Sequence, residues 1–251
     1  MKSFLSYLGG KSRLAKKIIP KISEHTCYCE VFAGAAWMLF KKTESEVEII
    51  NDINHDLVTL YRVIKEHLDE FIRYFRWILN ARDDFSRFLN ENPESLTDIQ
   101  RAVRFYYLLR NGYASRIDHP SFSVATTKRP HINLLRIEEE LSATHIRLAS
   151  VYIENMPYQK FIERYDRPHT FFYVDPPYFG NETDYGKNIF YRDDFEKLRD
   201  VLSTIQGKFI MSINNVDEIK QLYSEFTIEE VETTYNMSHK KKVVELLIRN
   251  Y

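Results

Sequence analysis

The run Phe171-Phe172-Tyr173-Val174, followed at once by Asp175-Pro176-Pro177-Tyr178, constrains this chain more than any other stretch. Four consecutive β-branched or aromatic residues fit a short strand buried on both faces. Proline cannot donate to a sheet ladder, so the strand must stop where the two prolines begin. A carboxylate, a rigid turn and an aromatic ring are thereby left at the carboxyl end of a strand, the edge at which open α/β sheets bind ligands. Such a group suits an exocyclic amine on a planar base. The Asp175 carboxylate and a carbonyl freed by the prolines accept its two N–H bonds, and the Tyr178 ring stacks on its face. A plain Pro-Pro turn fits the same residues, so the rest of the chain has to decide.

The pattern alternates strand and helix at both ends and is helical in the middle. Cys27–Phe32 reads as a strand that turns at Gly34 into a helix over Ala35–Phe40, and Val47–Ile50 reads as a second strand. Asp52 or Asn54 caps a following helix whose apolar residues Leu57, Leu60, Tyr61 and Ile64 recur at helical spacing. This order implies parallel pairing. Leu68–Leu89, Thr97–Arg110 and Leu134–Ala149 are helical in period, whereas Asn111–Pro130 is a long polar loop, a kind of segment that often carries function. Strands return at Val151–Ile153, Phe171–Val174, Lys208–Ile213, Phe226–Val231 and Val243–Ile248, with helices near Arg192–Ile205 and Val216–Tyr223. The expectation is an α/β protein with a seven-stranded, mostly parallel sheet. Residues 1–55 and 149–251 form the α/β domain, and residues 56–148 form a helical insertion.

Composition narrows the class. With 251 residues, 44% hydrophobic and 28% charged, the chain suits a globular protein. No basic start leads into an apolar run, and no stretch approaches the roughly 18 apolar residues of a membrane span. Cys27 and Cys29 are expected on opposite faces of the first strand, which argues against a disulfide or a metal site, and the setting is expected to be reducing and cytoplasmic. Net charge is −1, yet residues 1–42 hold eight Lys or Arg against two acids, and residues 101–136 hold seven against one. Lys240-Lys241-Lys242 adds a third basic stretch. A neutral total with localised basic segments fits either solvated helix faces or a protein that meets a polyanion on one side.

Three further motifs surround the proline turn. Glu30-Val31-Phe32-Ala33-Gly34-Ala35-Ala36 puts small residues between a strand and a helix N-terminus, where a ligand approaches the backbone. Asp52 lies about 20 residues later, the spacing at which a carboxylate holds ribose hydroxyls, although capping the next helix is the competing role. No G-x-G-x-x-G is present, which argues against a nicotinamide cofactor. Tyr7-Leu8-Gly9-Gly10-Lys11 pairs a ring and a cation ahead of the helical pattern of Leu14, Ile18 and Ile19.

In this order, Tyr7-Leu8-Gly9-Gly10-Lys11, Glu30-Val31-Phe32-Ala33-Gly34, Asn51-Asp52-Ile53-Asn54 and Asp175-Pro176-Pro177-Tyr178 resemble the Dam-type DNA adenine-N6 methyltransferases of the alpha group, and most of all their phage or prophage members. The tail Lys241-Lys242-Val243-Val244-Glu245-Leu246-Leu247 is similar to that family's last strand. The resemblance implies a Rossmann-like methyltransferase sheet with a helical target-recognition insertion, S-adenosylmethionine as cofactor and double-stranded DNA as partner, in a bacterial or phage-infected cell. It implies no metal, no membrane and no obligate protein partner. Tyr7, Lys11, Phe32, Ala33, Gly34, Asp52, Ile53 and Asp175 would contact the cofactor. Asp175, Pro176 and Tyr178 would hold a flipped adenine. Arg110, Asn111, Tyr113, Arg116, Lys128 and Lys241 would meet DNA. The chain departs from the family at Val31, where Pro is common, and at Ala36, where a second Gly is common. The loop 114–119 does not match the members that read GATC, so their specificity does not carry over; the loop has few large side chains fit for bidentate base reading, Arg110, Asn111 and Arg116 being the best candidates, so short or relaxed specificity is expected. Methylation of cytosine N4, RNA adenine or glutamine, and DNA binding without catalysis, are the rival readings.

Overall fold

A computed structural model describes residues 1, 3–5, 11–112, 121–124, 127, 132–182, 189–236 and 240–251. Seven strands form one sheet: β1 (Cys27–Glu30), β2 (Val47–Asn51), β3 (Val151–Glu154), β4 (Thr170–Val174), β5 (Lys208–Asn214), β6 (Thr227–Asn236) and β7 (Lys240–Arg249). Their spatial order is β3-β2-β1-β4-β5-β7-β6. The first five pair in parallel, and β7 lies antiparallel between β5 and β6. The sheet is therefore mostly parallel, as the strand–helix alternation implied.

Ten α-helices are described: α1 (Ala15–Ile18), α2 (Trp37–Lys41), α3 (His55–Glu66), α4 (Leu68–Phe75), α5 (Arg82–Asn90), α6 (Asp98–Asn111), α7 (Leu134–Leu148), α8 (Tyr158–Tyr165), α9 (Asp194–Thr204) and α10 (Asp217–Leu222). Side chains alternate across the sheet with period two. Phe171 and Tyr173 enter one core with Tyr28, Ile50, Ile210 and Leu247, shared with helices α1 to α7. Phe172 and Val174 enter the other with Phe209, Met211 and Ile213, packed on α8, α9 and α10. The helices between β2 and β3 thus bury their aromatic residues against one face of the sheet.

Several sequence expectations are corrected. The run Leu68–Leu89 is not one helix but two, broken between Phe75 and Arg82. The Tyr107 hydroxyl accepts from the Ala81 N–H at 3.3 Å and reaches the Leu79 carbonyl at 2.8 Å, so it satisfies backbone groups that the break exposes. Cys27 and Cys29 are two residues apart on β1 and so share a face; their sulfurs lie 3.8 Å apart and both thiols are free. Helix α8 follows β3, where the sequence pattern suggested no helix. The last two strands are longer than expected. Beyond Glu245, which pairs with Asn214 of β5, residues 244 to 240 pair only with Glu232–Asn236. Since β6 runs parallel to β5, this hairpin projects past the edge where β1, β4 and β5 end.

Candidate active site

The carboxyl ends of β1, β2 and β4 open on one cavity of about 310 Å³. Its lining includes Lys11, Phe32, Ala33, Gly34, Asp52, Ile53 and Asp175, so seven of the eight positions expected to touch a cofactor come together. Tyr7, the eighth, lies outside the described residues, as do Tyr113, Arg116 and Lys128. Pro176 and Tyr178 do not line the cavity; they stand next to it on the turn after β4.

The turn after β1 is shaped by two residues with left-handed backbone, Gly34 and Ala36, both at φ 48°. Ala36 is the position where the resembling family often has Gly, and an L residue held there costs about 1–2 kcal/mol. Buried Glu30 anchors helix α2 beyond the turn, its carboxylate accepting from the Leu39 N–H at 2.5 Å and from the Tyr28 hydroxyl at 3.1 Å. Burial pushes the Glu30 carboxyl up to about 8.

Asp52 is held by backbone donors. Its Oδ2 accepts from the Gly34 N–H and its Oδ1 from the Asn54 N–H, each at 2.9 Å. The cap of α3 is Asn54, whose side chain accepts from the Leu57 N–H at 3.2 Å. Asp52 is therefore not the cap of the helix. Burial raises its carboxyl above the usual range, with backbone bonds from Asn54, Gly34 and Ile53 opposing. Beside it Phe32, Ile53, Met156, Pro157, Tyr158 and Phe190 supply an apolar wall, with the Phe32 ring centroid 5.5 Å from that of Tyr158 and 6.0 Å from that of Phe190. An apolar slot ending in a carboxylate that accepts hydroxyls is a nucleoside-shaped recess.

At the other end, β4 delivers Asp175. Its Oδ1 accepts from Ser212 Oγ at 3.1 Å, and Lys11 Nζ lies 3.1 Å from the same atom. Lys11 Nζ also contacts Glu245 Oε2 at 3.2 Å and the Tyr178 hydroxyl, and it stands 4.2 Å from the Tyr178 ring centroid. One buried ammonium thus binds two carboxylates and a phenol with its three N–H groups. Burial raises the Asp175 carboxyl to about 6; Lys11 pulls it down and the Glu245 charge pushes it up. The chain beyond Tyr178 is clasped by Asn214, which accepts from the Phe179 N–H and donates to the Phe179 carbonyl, both at 3.0 Å. Sequence reasoning missed Glu245, Ser212 and Asn214. They lie on β5, which pairs with β4, and on β7, the next strand over, and nothing local marks them.

The proposed DNA side is mixed. Arg110 is held by Glu140 at 2.6 Å and by the Tyr106 hydroxyl at 2.9 Å, and Asn111 is only 2% exposed. Both positions expected to meet DNA are thus partly or wholly buried. They fasten the root of the loop instead: the Asn111 carbonyl accepts from the Ser123 N–H at 2.8 Å, and Gly112 bridges Phe122. A Cβ at Gly112 would meet the Leu108 carbonyl oxygen at 2.7 Å, so only glycine fits the exit from α6. On the hairpin, Lys241 is paired with Tyr235 and Lys242 with Thr234, and Arg13 donates to the Thr234 carbonyl at 2.9 Å. The Lys240–Lys242 end of the hairpin therefore stands at the edge of the sheet where the cavity opens.

The model of the D12 class N6 adenine-specific DNA methyltransferase family matches residues 7–237. The chain is 26% identical over 262 residues to the type II methyltransferase M.CviBI of Paramecium bursaria Chlorella virus NC1A, covering 100% of each chain. It is 28% identical over 299 residues to the type II methyltransferase M.MjaIII of Methanocaldococcus jannaschii, covering 100% of this chain and 99% of that one. The DNA adenine methylase of Escherichia coli K12 is 34% identical over 116 residues, 45% of this chain and 41% of that one. The family match takes in the cavity, the proline turn and the helical segment together, and this chain belongs to the D12 class N6 adenine-specific DNA methyltransferases.

Proposed function

We propose that the cavity binds S-adenosylmethionine and that an adenine flipped out of duplex DNA docks beside it, against Asp175, the Pro176 carbonyl and Tyr178. The observation that carries this reading is the shared cavity, with a hydroxyl-accepting Asp52 at one end and the Lys11-tied Asp175 at the other. Asp52, Gly34, Phe32 and Ile53 fit the nucleoside of the cofactor, and Lys11 with the Ala33–Gly34 turn fits its charged amino-acid end. Bound there, the cofactor supplies an electrophilic methyl group on a sulfonium.

The protein's part is positioning and electrostatics. The adenine amine is a weak nucleophile because its lone pair is delocalised into the ring. Ionised Asp175 accepts one of its N–H bonds and the Pro176 carbonyl accepts the other. Two acceptors favour a tetrahedral nitrogen and stabilise the positive charge that grows on it. Among the described residues Asp175 Oδ1 takes both internal bonds and Oδ2 takes none, which leaves an oxygen for the base. Flipping costs a few kcal/mol, and stacking on the Tyr178 ring returns about 1–3. The remaining DNA contact falls to the loop rooted at Asn111 and to the Lys240–Lys242 hairpin. With Arg110 paired to Glu140 and Asn111 buried, we propose short or relaxed sequence specificity.

Asp52→Ala is expected to weaken S-adenosylmethionine binding by roughly tenfold to a hundredfold, the worth of a hydrogen bond to a charged acceptor, while kcat changes less. Calorimetric titration reads this directly, and an unchanged Kd would remove Asp52 from the cofactor site. Tyr178→Phe keeps the ring and loses the hydroxyl contact with Lys11, so it should retain more kcat/KM on duplex DNA than Tyr178→Ala. Equal loss in both variants would assign the role to the hydroxyl rather than to stacking.

A further inference from the structure

The break between α4 and α5 carries side chains that the cofactor cavity does not use. Trp77 is 84% exposed and Leu79 is 68% exposed, the two most exposed of the large side chains of this segment. Arg73, Arg76 and Arg82 flank them in sequence and are all exposed, and the acidic residues Glu70 and Asp83 lie just outside the stretch from Phe71 to Arg82. Arg73 and Arg76 make no ion pair among the described residues, unlike Arg87, Arg101 and Arg110 on the neighbouring helices. A wet indole on a turn that carries exposed guanidinium groups before and after it complements the sugars and phosphates of a polyanion.

This turn is fastened to both ends of the proposed recognition loop. The Arg82 guanidinium stands 5.3 Å from the Phe122 ring centroid, and Phe85 stacks obliquely on Phe122 at 5.5 Å. Asn80 Nδ2 donates to the Ile132 carbonyl at 3.2 Å. Phe122 lies within the loop and Ile132 just after it, so DNA held by the loop would run next to this patch.

We infer that the α4–α5 turn is a second DNA-backbone contact, in which Trp77 lies against sugars and donates its indole N–H to a phosphate while Arg73, Arg76 and Arg82 neutralise flanking phosphates. The inference rests on the DNA-methyltransferase reading and extends it to duplex outside the target site. Contacts of this kind position the protein and carry no sequence information. They add affinity on a long duplex and nothing on one that ends at the target site.

The test compares the parent with Trp77→Phe, Trp77→Ala and Arg73→Gln/Arg76→Gln on short and long duplexes, with folding checked by thermal denaturation. On the long duplex, Trp77→Ala should lose roughly tenfold in affinity, equally for unrelated sequences, and the double Arg variant should lower the salt slope by about 0.9 for each phosphate contact removed. On the short duplex, and in kcat at saturating DNA, all variants should match the parent. Trp77 is one of only two tryptophans, so the fluorescence change on adding long duplex should disappear in Trp77→Phe. If the variants bind and methylate long duplex like the parent, the inference fails while the methyltransferase reading stands. If the parent methylates no DNA, that reading fails, and the binding and fluorescence titrations still decide the patch. If sedimentation shows a dimer that Trp77→Ala dissociates with DNA affinity unchanged, the patch is a self-interface and the inference is overturned.

Discussion

Asp175→Ala is expected to lower kcat on duplex DNA by about a thousandfold or more while the protein stays folded. Losing one preorganised acceptor at a site of developing charge is worth about 10²–10³ in rate, and Asp175 also orients the amine. The side chain sits at a strand end and is about a fifth exposed, so its removal opens no cavity in either core. The same group sets a pH dependence. Only the ionised carboxylate accepts the amine proton, and burial holds this carboxyl at about 6. kcat/KM should therefore be level above that pH and fall about tenfold per unit below it. Lys11 lowers the Asp175 value, so neutralising Lys11 should move the acid limb to higher pH. A profile flat down to pH 5, or near-normal turnover in Asp175→Ala, would take Asp175 out of the reaction.

The largest stability effect should come from Lys11→Met. Lys11 is 4% exposed and its partner Glu245 is not exposed at all. Removing one member of a buried ion pair leaves an uncompensated charge, at about 3–5 kcal/mol. For a chain of this size that corresponds to a fall in Tm of roughly 6–20 °C. Lys11→Met/Glu245→Gln removes both charges and should recover most of the lost Tm without recovering activity, because Asp175 and Tyr178 still lack their ammonium. Differential scanning calorimetry checks both variants. A double variant no more stable than Lys11→Met would mean that the pair is not what Lys11 supports.

The parts of this molecule legible in the sequence are those set by short-range chemistry. Phe171–Val174 reads as a strand because its four residues fit nothing else, and Pro176 ends it wherever it lies. The Thr97 cap is equally local: its side chain accepts from the Gln100 N–H, and the Gln100 side chain accepts from the Thr97 N–H. What was not legible depends on partners far away in the chain. Lys11 and Glu245 are 234 residues apart and meet only because β7 inserts beside β5. Arg110 was expected to meet DNA, and its pairing with Glu140 on α7, thirty residues on, could not be read locally. The break after Phe75 was hidden because Tyr107, from another helix, stabilises it. Asp52 shows the opposite case. Its two possible roles were indistinguishable by spacing; the structure gives the cap to Asn54, and the cofactor role is the one proposed.

If the ends of β1, β2 and β4 form one site that methylates adenine N6 in duplex DNA, with Asp175 as acceptor, the product itself is the most direct test. The protein and Asp175→Ala are each incubated with S-adenosylmethionine and a mixed genomic duplex, and the digested DNA is resolved into nucleosides. N6-methyladenine is expected with the parent protein and none above background with Asp175→Ala. N4-methylcytosine in place of N6-methyladenine, or equal N6-methyladenine from both proteins, would contradict that assignment.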